Sequence, residues 1–155
     1  MSDLAVRIVR LEPVRVASAL VFGPSPELAV WDITWGYVQR HGLLTDGQPH
    51  RFFGFNNPDP SPASPNYGYE SWVTVGPEAQ PEGQVEIKTF DGGLYAVTAC
   101  PSVMVIGEVW QSLVRWREVS RYRCGGHQWL EEVLNPQSVT GEPPFTFDLY
   151  LPIVE

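Results

Sequence analysis

Two stretches, RIVRLEPVRVASAL at residues 7–20 and EIKTFDGGLYAVTA at residues 86–99, indicate the fold of this chain. Each reads as two short apolar strands interrupted by an acidic residue and then by proline or glycine, the residues that end strands and form turns. The second stretch begins 79 residues after the first, and the same offset carries Trp31 onto Trp110. Because internal similarity at a fixed offset indicates repeated structural units, the sequence predicts a duplicated module.

Each of these stretches is followed by an amphipathic helix pattern and then by two further strands. Ser25 is expected to be the N-cap of the first helix with Pro26 at its first position, and Ser102 is expected to cap the second helix. The helix stripes consist of Leu28, Trp31, Trp35 and Val38 in the first module and Ile106, Val109, Trp110 and Leu113 in the second. We therefore predict an α+β fold built from two β-helix-β-β modules, at about 5–76 and 84–155, within one domain spanning 1–155. The sheet should be antiparallel and curved, with both helices on one face.

The last strand of each module repeats one phrase, as YESWVTV at residues 69–75 and FDLYLPI at residues 147–153. Side chains two apart on a strand share a face, so Glu70 should project with Trp72, and Asp148 with Tyr150. One interpretation places the aromatics in the core and the acids at hydrated strand edges. Since the sequence places few Lys or Arg residues nearby and a buried, unpaired carboxylate is costly, a partly hydrated ligand site is the other interpretation.

A third carboxylate lies in the strand QWLEEVL at residues 128–134. Trp129, Glu131 and Val133 should share one face, while Glu132 points the other way. We expect Glu131 to face inward beside an aromatic residue, and Glu132 to be solvated. A carboxylate among aromatic rings suits a lipophilic cation, and the same arrangement can serve acid/base chemistry.

Charge and composition limit the partners that the chain can bind. With 10 basic and 18 acidic residues its net charge is −8, which argues against a nucleic-acid surface. Cys100 and Cys124 are interpreted as reduced thiols, and the spacing of Cys and His residues indicates neither a metal nor a cofactor. No apolar run has the length of a membrane span, so we expect a cytoplasmic protein. The proline-rich segment at 56–66 should be a surface loop.

Four segments carry a resemblance to a known family: FDGGLYAV at 90–97, WQSLVRW at 110–116, QWLEE at 128–132 and DLYLPI at 148–153. In this order and spacing they resemble the GyrI-like family, the effector-binding domain of AraC-type and MerR-type multidrug regulators. The resemblance implies a pseudo-twofold domain with a groove between the modules for bulky hydrophobic, often cationic, compounds. It also implies that Glu131 is the ligand-binding glutamate. From the strand patterns described above, we expect Glu70, Trp72, Asp148, Tyr150 and Trp129 to be further ligand contacts.

Three functions follow from this resemblance. Because the two modules occupy residues 1–155 and leave no segment for a helix-turn-helix, the first is drug or toxin binding or sequestration without direct DNA contact. The alternative is a hydrolase that detoxifies cyclopropane-containing DNA-alkylating compounds, in which Glu131 would be catalytic. A third is inhibition of a protein partner by surface contact. No Ser-His-Asp or Cys-His series stands out, so binding of a hydrophobic, cationic or electrophilic small molecule is preferred.

Overall fold

The computed structural model describes residues 4–135 and 146–155, which divide into two compact units. The first unit comprises residues 14–90, and the second comprises residues 4–13 together with those after residue 90. The strands are β1 Arg7–Leu11, β2 Val14–Gly23, β3 Phe52–Asn56, β4 Tyr67–Thr74, β5 Glu86–Phe90, β6 Gly93–Cys100, β7 Arg123–Cys124, β8 Leu130–Val133 and β9 Phe147–Val154. The helices are α1 Pro26–Arg40 and α2 Ile106–Glu118, the latter preceded by a 3-10 turn at Val103–Val105.

The first unit is an antiparallel sheet in the order β3, β4, β2, β5 with α1 packed on one face. Ser18 lies opposite Trp72 and Leu20 lies opposite Glu70, which places these four side chains on the same face. Ser71 points the other way, where its hydroxyl shares a hydrogen bond with Thr34 of α1. The face that carries Glu70 and Trp72 is therefore the one opposite the helix, and we call it the far face.

The second unit has the same plan, with strands in the order β1, β6, β9, β8 and with α2 packed against β6 and β9. The short β7 pairs with the end of β9. Val97 and Leu130 flank Tyr150 on its two neighbouring strands, so all three share one face. The adjacent residue Glu131 points the other way, to Trp110 of α2, so the face of Tyr150 is the one opposite the helix and is the far face of this unit. The predicted α+β class and the β-helix-β-β order of each module are confirmed.

The outer strands are exchanged between the two repeats. β1 pairs with β6, and β2 pairs with β5, rather than each strand pairing with its neighbour in sequence. The expected module boundaries of 5–76 and 84–155 therefore differ from the structural units, since β1 lies in the second unit and β5 in the first. Each repeat begins with two strands joined by two residues. The sequence pattern is therefore compatible both with pairing inside a repeat and with the exchanged pairing that the structure shows.

The motif FDGGLYAV owes its glycines to the turn between β5 and β6. Gly92 has φ 80° and Gly93 has φ 148°, conformations that L side chains rarely adopt. A Cβ on Gly92 would lie 2.0 Å from the backbone oxygen of Leu11. The turn therefore requires glycine both for its backbone angle and for its close approach to the end of β1.

The two helices differ in how deeply they are buried. α1 buries Val30, Trp31, Thr34, Tyr37 and Val38, whereas Leu113 is the buried residue of α2. Trp31 is 4% exposed, while Trp110, its counterpart in the repeat, is half-buried. Residues 57–66 form the expected irregular segment between β3 and β4. Within the described residues, neither helix has the length and hydropathy of a membrane span.

Candidate functional site

In the first unit the phrase YESWVTV places its acid and its aromatic in direct contact. Trp72 Nε1 donates a hydrogen bond to Glu70 Oε2 at 2.7 Å. Glu70 is only 2% exposed and Trp72 only 7%. Glu70 and Trp72 thus share a face of the sheet as predicted, and both side chains are buried.

Glu70 has donors on both carboxylate oxygens. Oε2 accepts from Ser18 Oγ at 2.7 Å and from Lys88 Nζ at 2.9 Å in addition to Trp72, and Oε1 accepts from Asn57 Nδ2 at 2.9 Å. Burial alone raises the pKa of Glu70, but these four hydrogen bonds outweigh it and hold the pKa below its usual value. Glu70 is therefore an ionised, internally coordinated carboxylate.

Trp72 packs between two phenylalanine rings of its own unit. Its ring is 4.9 Å from that of Phe55 in an edge-to-face arrangement and 5.0 Å from that of Phe90. Such pairs contribute about 0.5–1.5 kcal/mol each beyond the area that they bury. In the first unit the phrase forms a packed polar-aromatic core.

In the second unit the corresponding aromatic contacts a different acid. Tyr150, 3% exposed, donates from its hydroxyl to Glu132 Oε1 at 2.7 Å. Glu132 is directly opposite Asp148 on the adjacent strand, so the far face of this unit carries two neighbouring carboxylates. Glu132 is a site residue that sequence reasoning placed in solvent.

The expected orientations of Glu131 and Glu132 are corrected by the structure. Glu132 is 8% exposed, whereas Glu131 is half-buried on the helix face, where Trp110 Nε1 donates to its Oε2 at 3.0 Å. Alternation along β8 correctly separated the two acids. It did not identify which face was covered, because Leu130 on one face and Val133 on the other are both buried.

Trp129 lies on the same side of β8 as Glu131 and apart from Tyr150. Its ring is 5.3 Å from that of Trp110, and the residue is 40% exposed. Within the second unit, Glu131 and Trp129 therefore lie on the opposite sheet face from Asp148 and Tyr150. Glu70 and Trp72 lie on the far face of the first unit, Asp148 and Tyr150 on that of the second, and Glu131 and Trp129 on the helix face of the second.

Two basic residues pair with the acids of the repeated phrase, which corrects the expectation that few such partners are near. Lys88 of β5 contacts Glu70 at 2.9 Å, and Arg7 of β1 contacts Asp148 at 2.7 Å. Both basic residues come from the exchanged strands. They are distant from their acids in sequence, and the unpredicted strand pairing is what brings them close.

A further aromatic side chain, Tyr95, packs against Tyr150 of the Glu132–Tyr150 pair. The ring of Tyr95 is 5.4 Å from that of Tyr150 and 4.8 Å from that of His127, both edge to face. The Tyr95 hydroxyl donates to the backbone oxygen of Gln128. Burial, reinforced by the neighbouring Tyr150, raises the pKa of Tyr95 above its ordinary value, so this hydroxyl stays protonated and neutral.

A separate cleft of about 760 Å³ lies in the first unit between the end of α1, the segment that follows it and residues 74–80. Its polar groups are largely bonded within the chain. His50 contacts Asp46 Oδ2 at 2.7 Å and the Thr74 carbonyl oxygen at 2.6 Å, and Tyr37 donates to the Gln80 carbonyl oxygen at 2.8 Å. None of the predicted site residues lines this cleft, and we assign no ligand to it.

Comparisons with known proteins place this geometry in a family context. The model of a family described as Cass2, integron-associated effector binding protein, matches residues 7–153. A search of curated proteins finds no significant match.

Solved structures share the fold at low sequence identity. EcmrR in a DNA complex has a TM-score of 0.74 at 10% identity, and the match covers 97% of this chain but only 57% of that longer one. A hydrolase from Listeria innocua has a TM-score of 0.65 at 11% identity, covering 99% of this chain and 94% of that one. The protein SAV2435 bound to tetraphenylphosphonium has a TM-score of 0.55 at 9% identity, with 97% and 94% covered.

Proposed function

The chain belongs to the family of integron-associated effector binding proteins, and on that premise we propose that it binds bulky, hydrophobic, positively charged small molecules at the far face of its second unit. The observation that carries this proposal is the buried Glu132 carboxylate held by the Tyr150 hydroxyl at 2.7 Å. A carboxylate in a poorly hydrated, aromatic environment attracts a cation strongly, because water screens the interaction little.

The aromatic rings supply the remainder of the attraction. Tyr150 bonds the carboxylate through its hydroxyl, and its ring meets that of Tyr95 edge to face. A cation over such a ring gains about 0.5–2 kcal/mol. A ligand with a delocalised or shielded charge, such as a quaternary phosphonium or ammonium, uses both features, since its hydration costs little to remove.

The other predicted residues receive different roles in this proposal. Asp148, opposite Glu132, adds a second acid at the site. Glu70 and Trp72 form the internal core of the first unit, because the donors around Glu70 already occupy both of its oxygens. Glu131 and Trp129, on the helix face, lie outside the site.

Tetraphenylphosphonium is a suitable probe, because a protein of the same fold has been solved with it bound. We expect calorimetric titration to give a single site with a dissociation constant on the order of 10⁻⁶ M. The neutral triphenylphosphine oxide, which has similar rings, should bind at least about tenfold more weakly, since it lacks the charge that meets Glu132. Equal affinity for the two compounds, or no binding of either, would contradict the proposal.

Hydrolysis of a reactive small molecule is the second candidate function. It is favoured by the Glu132–Tyr150 hydrogen bond, since a carboxylate fixed by a protonated phenol can orient or deprotonate a water molecule. Mass analysis of cyclopropane-containing alkylating compounds after incubation with the protein tests it. Formation of a water adduct by the wild-type protein but not by Glu132→Gln supports turnover. If the compound stays unchanged, the hydrolase function is contradicted and binding without hydrolysis is the remaining function.

A further inference from the structure

The guanidinium of Arg7 lies at the edge of the proposed cation site. Arg7 NH2 contacts Asp148 Oδ2 at 2.7 Å, and its side chain is 59% exposed while that of Asp148 is 14% exposed. The pairing of β1 with β6 sets this contact, because Arg7 is opposite Val97, which is in turn opposite Tyr150. A fixed positive charge therefore lies on the same sheet face as the residues proposed to bind a cation.

Asp148 connects Arg7 to the site. Asp148 and Glu132 are directly opposite each other on β9 and β8, a relation that places Cβ atoms about 5 Å apart. A cation that contacts Glu132 is therefore close to Asp148 and, beyond it, to the Arg7 guanidinium. Arg7 reduces the attraction of Asp148 for the ligand and adds a repulsion of its own.

We propose that Arg7 is a specificity-determining residue that limits the positive charge of the ligand. This inference rests on the proposed function, since it concerns the charge of the molecule bound at the same site. Arg7 shifts the preference of the site toward monocations, and its removal shifts the preference toward dications.

The physical basis is that Coulomb energy is proportional to ligand charge. A unit charge about 7 Å from the ligand changes the affinity for a monocation by about 3- to 10-fold, at effective dielectric constants between about 35 and that of water, since the Arg7 side chain is largely in solvent. A dication with both charges in the site feels up to twice this energy, so its fold-change approaches the square. A neutral compound is unaffected. This scaling holds whatever other groups contact the two acids.

The fold itself should tolerate loss of this ion pair. A pair whose basic partner is largely in solvent contributes little to stability. Arg10 on the same strand offers a matched control, because it is also exposed but is opposite Leu94 on the helix face of the sheet. Arg7→Gln and Arg10→Gln each remove one positive charge from β1, and only the first removes it from the far face.

The test is calorimetric titration of the wild type, Arg7→Gln and Arg10→Gln with three compounds of rising charge: triphenylphosphine oxide, tetraphenylphosphonium and ethylenebis(triphenylphosphonium). For Arg7→Gln we expect no change with the neutral compound, about 3- to 10-fold tighter binding of the monocation and a larger gain for the dication. Arg10→Gln should leave the ratio of the two cation affinities unchanged. An unchanged ratio in Arg7→Gln, or an equal change in both variants, would overturn the inference.

A second variant keeps the test independent of the folding of Arg7→Gln. Asp148→Asn removes the acid and leaves the Arg7 charge, so the dication should lose more affinity than the monocation. Equal losses would count against the inference. If the wild type binds tetraphenylphosphonium but neither Arg7→Gln nor Asp148→Asn changes the ratio of dication to monocation affinity, only the inference about Arg7 fails. If the wild type binds none of the three compounds, the proposed function fails with it.

Discussion

The acids of the repeated phrase occupy equivalent positions but have different surroundings. Glu70 accepts hydrogen bonds from four side chains within its unit, including its own Trp72. Asp148 is paired with an exposed arginine, while Tyr150 donates to Glu132 instead. Equivalent residues of a duplicated fold thus take part in different hydrogen-bond networks in the two units.

We predict that Glu70→Gln destabilises the protein by about 2–3 kcal/mol, because it leaves buried donors and the Lys88 ammonium without their anionic acceptor. Urea denaturation followed by tryptophan fluorescence measures this difference. Glu86→Gln, on the exposed outer strand β5, is the control and should change stability by less than about 0.5 kcal/mol. Equal stabilities of the two variants would show that the network around Glu70 contributes little.

The same carboxylate predicts a pH dependence. Its pKa is lowered in the folded state, so the unfolded chain binds more protons at this group as the solution becomes acidic. Its contribution is complete above the ordinary value of 4.5 and is lost as the pH falls through the folded-state pKa. The stability difference between wild type and Glu70→Gln should therefore shrink below about pH 4.5, and a constant difference would contradict the assignment.

At the scale of elements, the strand exchange explains both the glycine turn and the two ion pairs. β1 ends at Leu11 beside Gly93, and β2 begins at Val14 beside Phe90. The connection from β1 to β2 and the connection from β5 to β6 are therefore the points at which the chain passes from one structural unit to the other. The sequence predicted the strands, because apolar alternation and turn residues are local signals. It did not predict which strands pair, because the strand inside the same repeat and the strand from the other repeat have the same sequence pattern.

Gly92→Ala should destabilise the fold by about 2 kcal/mol or more, since a Cβ there meets the Leu11 carbonyl and the backbone angle is left-handed. Thermal unfolding measures the loss. Gly107→Ala, in α2 and with nothing near its Cβ position, should be neutral or slightly stabilising. Similar melting temperatures for both variants would mean that the turn relaxes without cost.

The tryptophans of the two helices should respond differently to truncation. Trp31→Ala, at a 4% exposed position, should cost about 3–5 kcal/mol. Trp110→Ala should cost less, because that side chain is half-buried and α2 buries fewer residues than α1. Denaturant midpoints of the two variants provide the comparison, and equal losses would contradict the difference in helix packing.

At the scale of the whole molecule, charge opposes contact with DNA although one protein of the same fold is solved in a DNA complex. The net charge of −8 repels phosphate, and nonspecific DNA affinity comes from clustered basic residues. We expect no saturable binding tighter than about 10⁻⁶ M in fluorescence anisotropy at low salt. A tighter, saturable isotherm would contradict this expectation.

The sequence predicted more of the architecture than of the site. The repeat offset and the helix stripes led to the correct class and element order. Face assignment failed at Glu131 and Glu132 because both sides of β8 carry buried neighbours, so burial does not alternate along the strand. The tertiary contacts with Trp110 on one face and with Tyr150 on the other distinguish the two acids.

The most direct measurement compares Glu132→Gln with Glu131→Gln in calorimetric titrations of tetraphenylphosphonium. These two substitutions are identical in chemistry and adjacent in sequence, and they differ in the face of β8 that they alter. We predict that Glu132→Gln weakens binding by about tenfold or more, because it removes the buried negative charge, while Glu131→Gln changes affinity less than about twofold. A larger loss in Glu131→Gln than in Glu132→Gln would contradict the account and move the site to the helix face.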